Sequence, residues 1–252
     1  MKDLIPLFLI ILASAGAALA QGSSDYHKWD VYGGYSLGRL TNNISSSSFT
    51  SNHVETFTDF CSAAATQQLG PNSQKFFCTR RSFNGFEASV TRNVSKYIGI
   101  QGDVTGHFKT EAFVDKFTPP GATQTEGNRE RLWNFLGGVQ LKNNSQSARV
   151  KPFGRALAGF ARYSNRSSQT IDLFPQFNFV FDDTVNSFAM KLGGGLDVWV
   201  SKRLDLRVIS IDYNPVFTRD RNAKIVSGPF NPVSLSGKTT HNFTIGAGLV
   251  IH

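Results

Sequence analysis

Two histidines are the residues of this chain best suited to catalysis. His107 stands four residues after Asp103, and His241 lies near the start of the last apolar run. A general base needs a partner within hydrogen-bond reach, and a lone histidine at the margin of a polar stretch is ordinarily a solvated side chain. No catalytic residue is assigned, and the chain is not expected to be an enzyme. Gly193-Gly194-Gly195 is no phosphate loop, because no helix follows it. Cys61 and Cys78 share one polar segment, and no histidine lies at ligand spacing from either, His53 standing alone upstream. A disulfide is expected between them, with no metal and no cofactor.

The first residues set the compartment. Lys2 precedes the apolar run Leu4 to Leu12, and Ala18-Leu19-Ala20 forms an Ala-x-Ala cleavage site. Residues 1–20 read as a secretory signal peptide, too short for a retained membrane helix. Residues 21–252 are then one exported domain. No later apolar run reaches about 18 residues, so residence in a membrane would have to be by sheet. The chain has 23 glycines and 22 phenylalanines, only 17% charged residues and a mean hydropathy of -0.20. That balance points to an all-β chain.

What would position any site is a set of eight segments with period-two patterning, the spacing at which side chains alternate across a sheet. They are Trp29–Leu37, Phe86–Thr91, Ile98–Phe108, Trp133–Leu141, Val150–Tyr163, Phe188–Val200, Arg203–Tyr213 and Phe243–Ile251. In the sixth, Phe188, Met190, Leu192, Gly194, Leu196, Val198 and Val200 share one parity, against Ala189, Lys191, Gly193, Gly195, Asp197 and Trp199. Three glycines in one strand imply a close neighbour filling the gap. The fifth segment is ambiguous, because Phe153 and Leu157 share a parity with Arg155. The seventh changes parity between Leu206 and Ile209, which predicts a β-bulge near Arg207-Val208.

Connections alternate in length. Polar stretches near 41–81, 109–128, 164–186 and 214–239 read as four long loops, and short turns fall near 93–97, 143–147 and 201–203. Eight antiparallel up-and-down strands close into a narrow barrel. Long loops at one end, with tight turns and both termini at the other, match an outer-membrane barrel. A soluble eight-stranded barrel of lipocalin type, with its apolar face inward, has the same parity. The polar set Asp30, Glu87, Gln101, Asp103, Asn134, Lys191, Asp197 and Asp212 is too small to coat a soluble exterior, which favours the membrane reading.

The segments Val31-Tyr32-Gly33-Gly34-Tyr35-Ser36, Lys151-Pro152-Phe153-Gly154-Arg155-Ala156-Leu157-Ala158-Gly159, Phe188 to Val198 and Phe243-Thr244-Ile245-Gly246-Ala247-Gly248 carry a resemblance. The chain resembles the bacterial outer-membrane β-barrel domain family, similar to the transmembrane domain of outer membrane protein A and its small eight-stranded relatives. The resemblance covers essentially all of residues 21–252 and implies an eight-stranded antiparallel transmembrane β-barrel with long extracellular loops and short periplasmic turns. It departs from the family in ending on Ile251-His252, where the barrel assembly machinery usually reads an aromatic residue, and in lacking a peptidoglycan-binding domain.

In such a barrel Glu87, Asp103, Arg155, Lys191, Asp197 and Asp212 would face the lumen. Unpaired buried charges are costly, so they are expected to form a connected network that plugs the barrel. Arg80, Arg81, Arg129, Arg131, Arg162 and Arg219 fall at the long-loop ends, where they would meet outer-membrane lipid and the phosphates of lipopolysaccharide. Arg92, Lys96, Lys142, Arg149, Lys151, Lys202 and Arg203 form a second basic collar at the short-turn end. The net charge of +8 contains no compact basic run, so nucleic acid is not an expected partner. The expected function is a monomeric structural or surface-interaction barrel, serving envelope integrity or adhesion through an extracellular ligand of its loops. The alternatives are a narrow solute or ion channel and an outer-membrane lipid-modifying enzyme using His107 or His241.

Overall fold

The computed structural model describes residues 26–41, 46–51, 54–59, 61, 71–116, 123–172, 178–227 and 231–252; the signal peptide read at 1–20 lies outside them. The elements run β1 (Trp29–Leu40), β2 (Ser46–Ser51), β3 (Val54–Asp59), α1 (Pro71–Cys78), β4 (Arg81–Asn93), β5 (Ile98–Lys116) and β6 (Thr123–Lys142). They continue as β7 (Val150–Ile171), β8 (Phe179–Ser201), β9 (Leu204–Phe217), β10 (Arg221–Ser227), β11 (Asn231–Ser236) and β12 (Thr239–Ile251). Strands β1, β4, β5, β6, β7, β8, β9 and β12 pair with their neighbours, and β9 meets both β8 and β12, so the eight close into an antiparallel barrel. Each of the eight is one of the alternating segments.

Parity decides the two surfaces. Val31, Val90, Ile100, Val139, Leu192, Ile211, Ile245 and Leu249 are exposed on the outer wall, a band of the kind that faces acyl chains. Val104 and Leu196 are partly exposed on the same wall. Near the extracellular end the band finishes in aromatics: Phe86, Phe108, Trp133, Phe135 and Phe160 lie in successive ring contacts 5.1–6.3 Å apart. Phe188 and Phe217 continue this girdle at 5.8 Å, and Tyr213 lies 5.3 Å from Phe243. Trp29 and Trp199 belong to the periplasmic ends of their strands, and Tyr97 lies in the turn just before β5. A closed barrel pairs every wall amide without water, the condition for crossing a bilayer.

The ambiguous strand is resolved inward. Phe153, Arg155 and Leu157 are all buried in the lumen, while Ala156, Ala158 and Phe160 face out. The register of β9 breaks where the parity changes: Leu196 lies opposite Ile209 and Asp197 opposite Arg207, leaving Val208 as the extra residue. The glycines of β8 make room inside. A Cβ on Gly193 would strike Asp212 Oδ1, and one on Gly195 would lie 2.9 Å from the Phe153 ring.

Two expectations need correction. Much of the polar stretches read as loops is sheet: Lys109 to Lys116 pair with Thr123 to Glu130, and β7 pairs with β8 as far as Gln169 opposite Phe179. Beyond the bilayer the outer face meets water, so apolar alternation is lost while the backbone ladder continues. Strands β10, β11, β2 and β3 extend this part as a side sheet hydrogen-bonded to β8. The lumen is also not polar throughout. Leu40, Phe83, Leu132, Leu136, Leu157, Ala161, Ala189 and Val216 pack together inside the barrel as a dry layer.

Candidate functional site

The lumen is filled in tiers set by strand register. In the middle tier, Arg155 on β7 holds Asp212 on β9 through two bonds, Nε at 2.8 Å and Nη2 at 2.6 Å. Its Nη1 also donates to Glu87 on β4 and lies 3.7 Å from Asp103 on β5. Lys191 on β8 donates to Asp103 at 2.5 Å and to Thr105 at 2.7 Å, and lies 3.8 Å from Glu87. The structure thus brings together Glu87, Asp103, Arg155, Lys191 and Asp212 from five strands, all buried.

Asp197, expected in the same network, lies in a separate periplasmic tier. It accepts from Arg207 Nε at 2.8 Å and from Lys142 at 3.0 Å, and Lys142 also donates to Asp30 at 3.0 Å. Lys151 donates to Asp205 at 2.7 Å. Lys142 and Lys151 were expected in the exposed basic collar; both are buried in the lumen. Their parity with Gln140 and Arg155 was the signal that could have placed them. The Arg207 guanidinium is clasped between the rings of Tyr32, at 4.1 Å, and Phe153, at 3.9 Å. Such stacking recovers part of the cost of burying a cation.

The last residue closes this tier. His252 Nδ1 lies 2.7 Å from Asp30 Oδ1 and Nε2 lies 2.9 Å from Asp205 Oδ2, joining the ends of β1, β9 and β12. Burial alone would lower the pKa of His252, but hydrogen bonds to Asp205 and Asp30 and their charges raise it above 6.5. His27 stacks on it with ring centroids 4.0 Å apart. Burial, then the charges of His252 and Lys151, push His27 down to about 4. The two imidazoles of the stack are thus shifted in opposite directions. Across the two tiers, six carboxylates (Asp30, Glu87, Asp103, Asp197, Asp205 and Asp212) face five permanent cations (Lys142, Lys151, Arg155, Lys191 and Arg207). His252 bridges two of these carboxylates, Asp30 and Asp205.

Above the dry layer the extracellular mouth has its own cluster. Arg81, expected on the exposed rim, is instead buried. It pairs with Glu111 and with Glu130 Oε2 at 2.5 Å, and Tyr163 donates to Glu130 at 2.6 Å. Helix α1 lies against it: Phe76 stacks on the Arg81 guanidinium at 4.0 Å and meets Phe113 at 5.8 Å. The Asn72 backbone N–H donates to Asp115. Cys78, the last residue of α1, is disulfide-bonded to Cys61, with Cα atoms 5.6 Å apart.

The other rim arginines point outward. Arg80 lies over the Phe243 ring at 5.2 Å. Arg129, Arg131 and Arg162 are exposed above the aromatic girdle, with Arg129 directly opposite Arg166 and Arg162 opposite Trp133. Arg219 is exposed just beyond β9. Among the described residues none of these five arginines forms an ion pair with a carboxylate.

The two histidines are far apart in environment. His107 is fully buried in the lumen with Nε2 3.0 Å from Ser36 Oγ, while Asp103, its neighbour on the strand, is held by Lys191 and Thr105. His241 faces out, 2.5 Å from the Tyr213 hydroxyl. Among the described residues no group of three His, Cys, Asp or Glu side chains is arranged to hold a metal ion.

No protein-family model matches the chain, and no curated protein matches it in sequence. Solved structures do. The outer membrane protease OmpT from Escherichia coli superposes with a TM-score of 0.52 at 9% identity, over 92% of this chain and 99% of that one. The outer membrane protein OprG from Pseudomonas aeruginosa gives 0.43 at 12% identity, over 90% and 97%. Ail, the attachment invasion locus protein of Yersinia pestis, gives 0.39 at 11%, over 88% and 97%. At such identities the likeness concerns fold. An apolar outer band, an aromatic girdle and a closed eight-stranded wall, with the likeness to OmpT, give this chain the fold of an outer-membrane β-barrel.

Proposed function

We propose that this barrel is a sealed, non-enzymatic element of the cell surface. Its lumen holds the wall together, and its extracellular sheet carries envelope integrity or adhesion. The observation that carries the reading is the filling of the lumen from end to end. Periplasmic ion tier, Arg155 tier, dry leucine layer and Arg81 cluster follow one another with each charge paired across strands. Eight strands leave an interior just wide enough for side chains.

Arg129, Arg131 and Arg162 act as the anchor to lipopolysaccharide. They stand at headgroup height with free guanidinium forks, the geometry that grips phosphate. A second reading, a narrow ion path, draws on Gln101, Asn134 and Asn165, whose buried side-chain amides have no protein partner. Planar-bilayer recording tests the seal: purified protein gives no sustained large conductance, and stable openings of porin size would refute it. Replacing Arg129, Arg131 and Arg162 together by Gln is expected to cut lipopolysaccharide retained on purification about tenfold, while unchanged retention removes the anchor. His107→Ala leaves both lipid A and hydrolysis as they are in the wild type if the barrel is no enzyme.

A further inference from the structure

Among the described residues the wall is interrupted between β8 and β9. The ladder between β8 and β9 ends at Phe188 opposite Phe217, and on that side β8 next finds a partner at Asp182, opposite Lys224 of β10. Over residues 183–187 the flank of β8 is held by side chains instead. Asp183 accepts from Arg221 Nε at 2.6 Å, and Ser187 Oγ lies 3.4 Å from Thr218 Oγ1. The seam is irregular below as well. Pro215 has no amide to give, and the Asn214 side chain donates to the Met190 carbonyl at 2.5 Å. A bare sheet edge is not tolerated within the hydrocarbon, so this break belongs at the headgroup level.

A groove of about 490 Å³ opens outward there. That volume lies within the range of small-molecule sites, about 300–1,000 Å³. Its membrane-ward wall is aromatic: Phe160, Phe188 and Phe217, with exposures of 53%, 53% and 39%. Its outer end is polar, formed by Asn186, Thr239 and Arg219. Arg162 stands opposite Asn186 across the β7–β8 ladder and adds a second cation beside that end. Chain direction fixes the polarity: Arg219 follows Phe217 where β9 leaves the bilayer, and Asn186 precedes Phe188 where β8 enters it.

We propose that this cleft binds one phospholipid that carries an anionic phosphomonoester headgroup. One acyl chain lies along the three phenylalanines, and Arg219 holds the phosphate. The fork geometry of guanidinium suits a phosphate with free oxygens better than a zwitterionic headgroup, whose own cation competes. The Phe188 and Phe217 rings, with centroids 5.8 Å apart and planes tilted by 32°, form the apolar wall beside Phe160.

Native mass spectrometry of the purified full-length protein tests it. The probes are phosphatidic acid, phosphatidylcholine with the same chains, and the matching free fatty acid. The wild type is expected to retain phosphatidic acid one to one and to prefer it over phosphatidylcholine about tenfold. Arg219→Gln should abolish that preference, and Asn186→Trp, which fills the groove from its outer end, should abolish retention itself. Both substituted residues face outward, and an unchanged gel shift on heating verifies that each variant is a folded barrel. Equal retention in both variants overturns the site. So does retention of the free fatty acid in preference to phosphatidic acid, which would make the ligand a soluble amphiphile.

Discussion

Arg155→Met removes the cation at the centre of the middle tier while keeping most of the side-chain length. Asp212 then loses both of its bonds and has no other cation in reach, whereas Glu87 keeps Lys191 at 3.8 Å and Asp103 keeps it at 2.5 Å. The cost is therefore mainly that of one orphaned buried carboxylate. Removing one partner of a buried pair typically costs about 3–5 kcal/mol. A unit pair about 4 Å apart at an effective dielectric of about 20 gives a similar figure, about 4 kcal/mol. The measurement is urea unfolding of protein refolded into lipid vesicles, followed by the fluorescence of Trp29, Trp133 and Trp199 with unchanged slope. Neutralising the orphan in the double variant Arg155→Met, Asp212→Asn should recover a large part of the loss, because an uncharged amide is far cheaper to bury. A loss below about 1 kcal/mol, the value of a solvated pair, would show that the tier is bathed in water and would sink the sealed lumen.

Three further outcomes are expected. Gly195→Ala places a Cβ in clash with the Ile209 carbonyl oxygen and 2.9 Å from the Phe153 ring that clasps Arg207, and overpacking of this kind costs about 1–3 kcal/mol in the same unfolding assay. The raised pKa of His252 makes its contribution complete below pH 6.5, the unfolded value, and lost as pH rises through the higher folded value. The stability gap between wild type and His252→Ala should accordingly be present at about pH 6 and narrow by about pH 9. A gap that widens with pH would reverse the assignment. Cys61→Ser opens a link spanning 17 residues, a closure worth about 3 kcal/mol to the segment it ties. Limited proteolysis should then cut near α1 while the barrel's unfolding midpoint stays where it was, and a large drop in that midpoint would show that the strap supports the wall.

Period-two patterning was sufficient to name eight strands and their order, while the side that meets lipid needed the asymmetry of the connections and the small size of the polar set as well. One face of each was committed to apolar contact, and a one-residue slip would have reversed it. The same parity put Glu87, Asp103, Lys191 and Asp212 in one enclosure, and left Arg155 ambiguous because Phe153 and Leu157 share its side of the strand. It failed where water bathes the outer wall: the upper parts of β5 to β8 carry no apolar code, because no lipid demands one.

Which charge meets which was settled only by closure. Asp197 shares a face with Lys191, yet the stagger of the strands carries it down to Arg207 and Lys142. Arg81, read as a rim residue from its position beside a long polar stretch, is folded under α1 and bonded to Glu130 from a strand 49 residues later. His252 gains its two carboxylates only because β12 returns between β1 and β9. Local sequence fixes the side of the sheet on which a residue stands, since the alternation is a property of each strand alone. Height in the barrel and partner across it depend on tilt and register around the full circle, which no single segment contains.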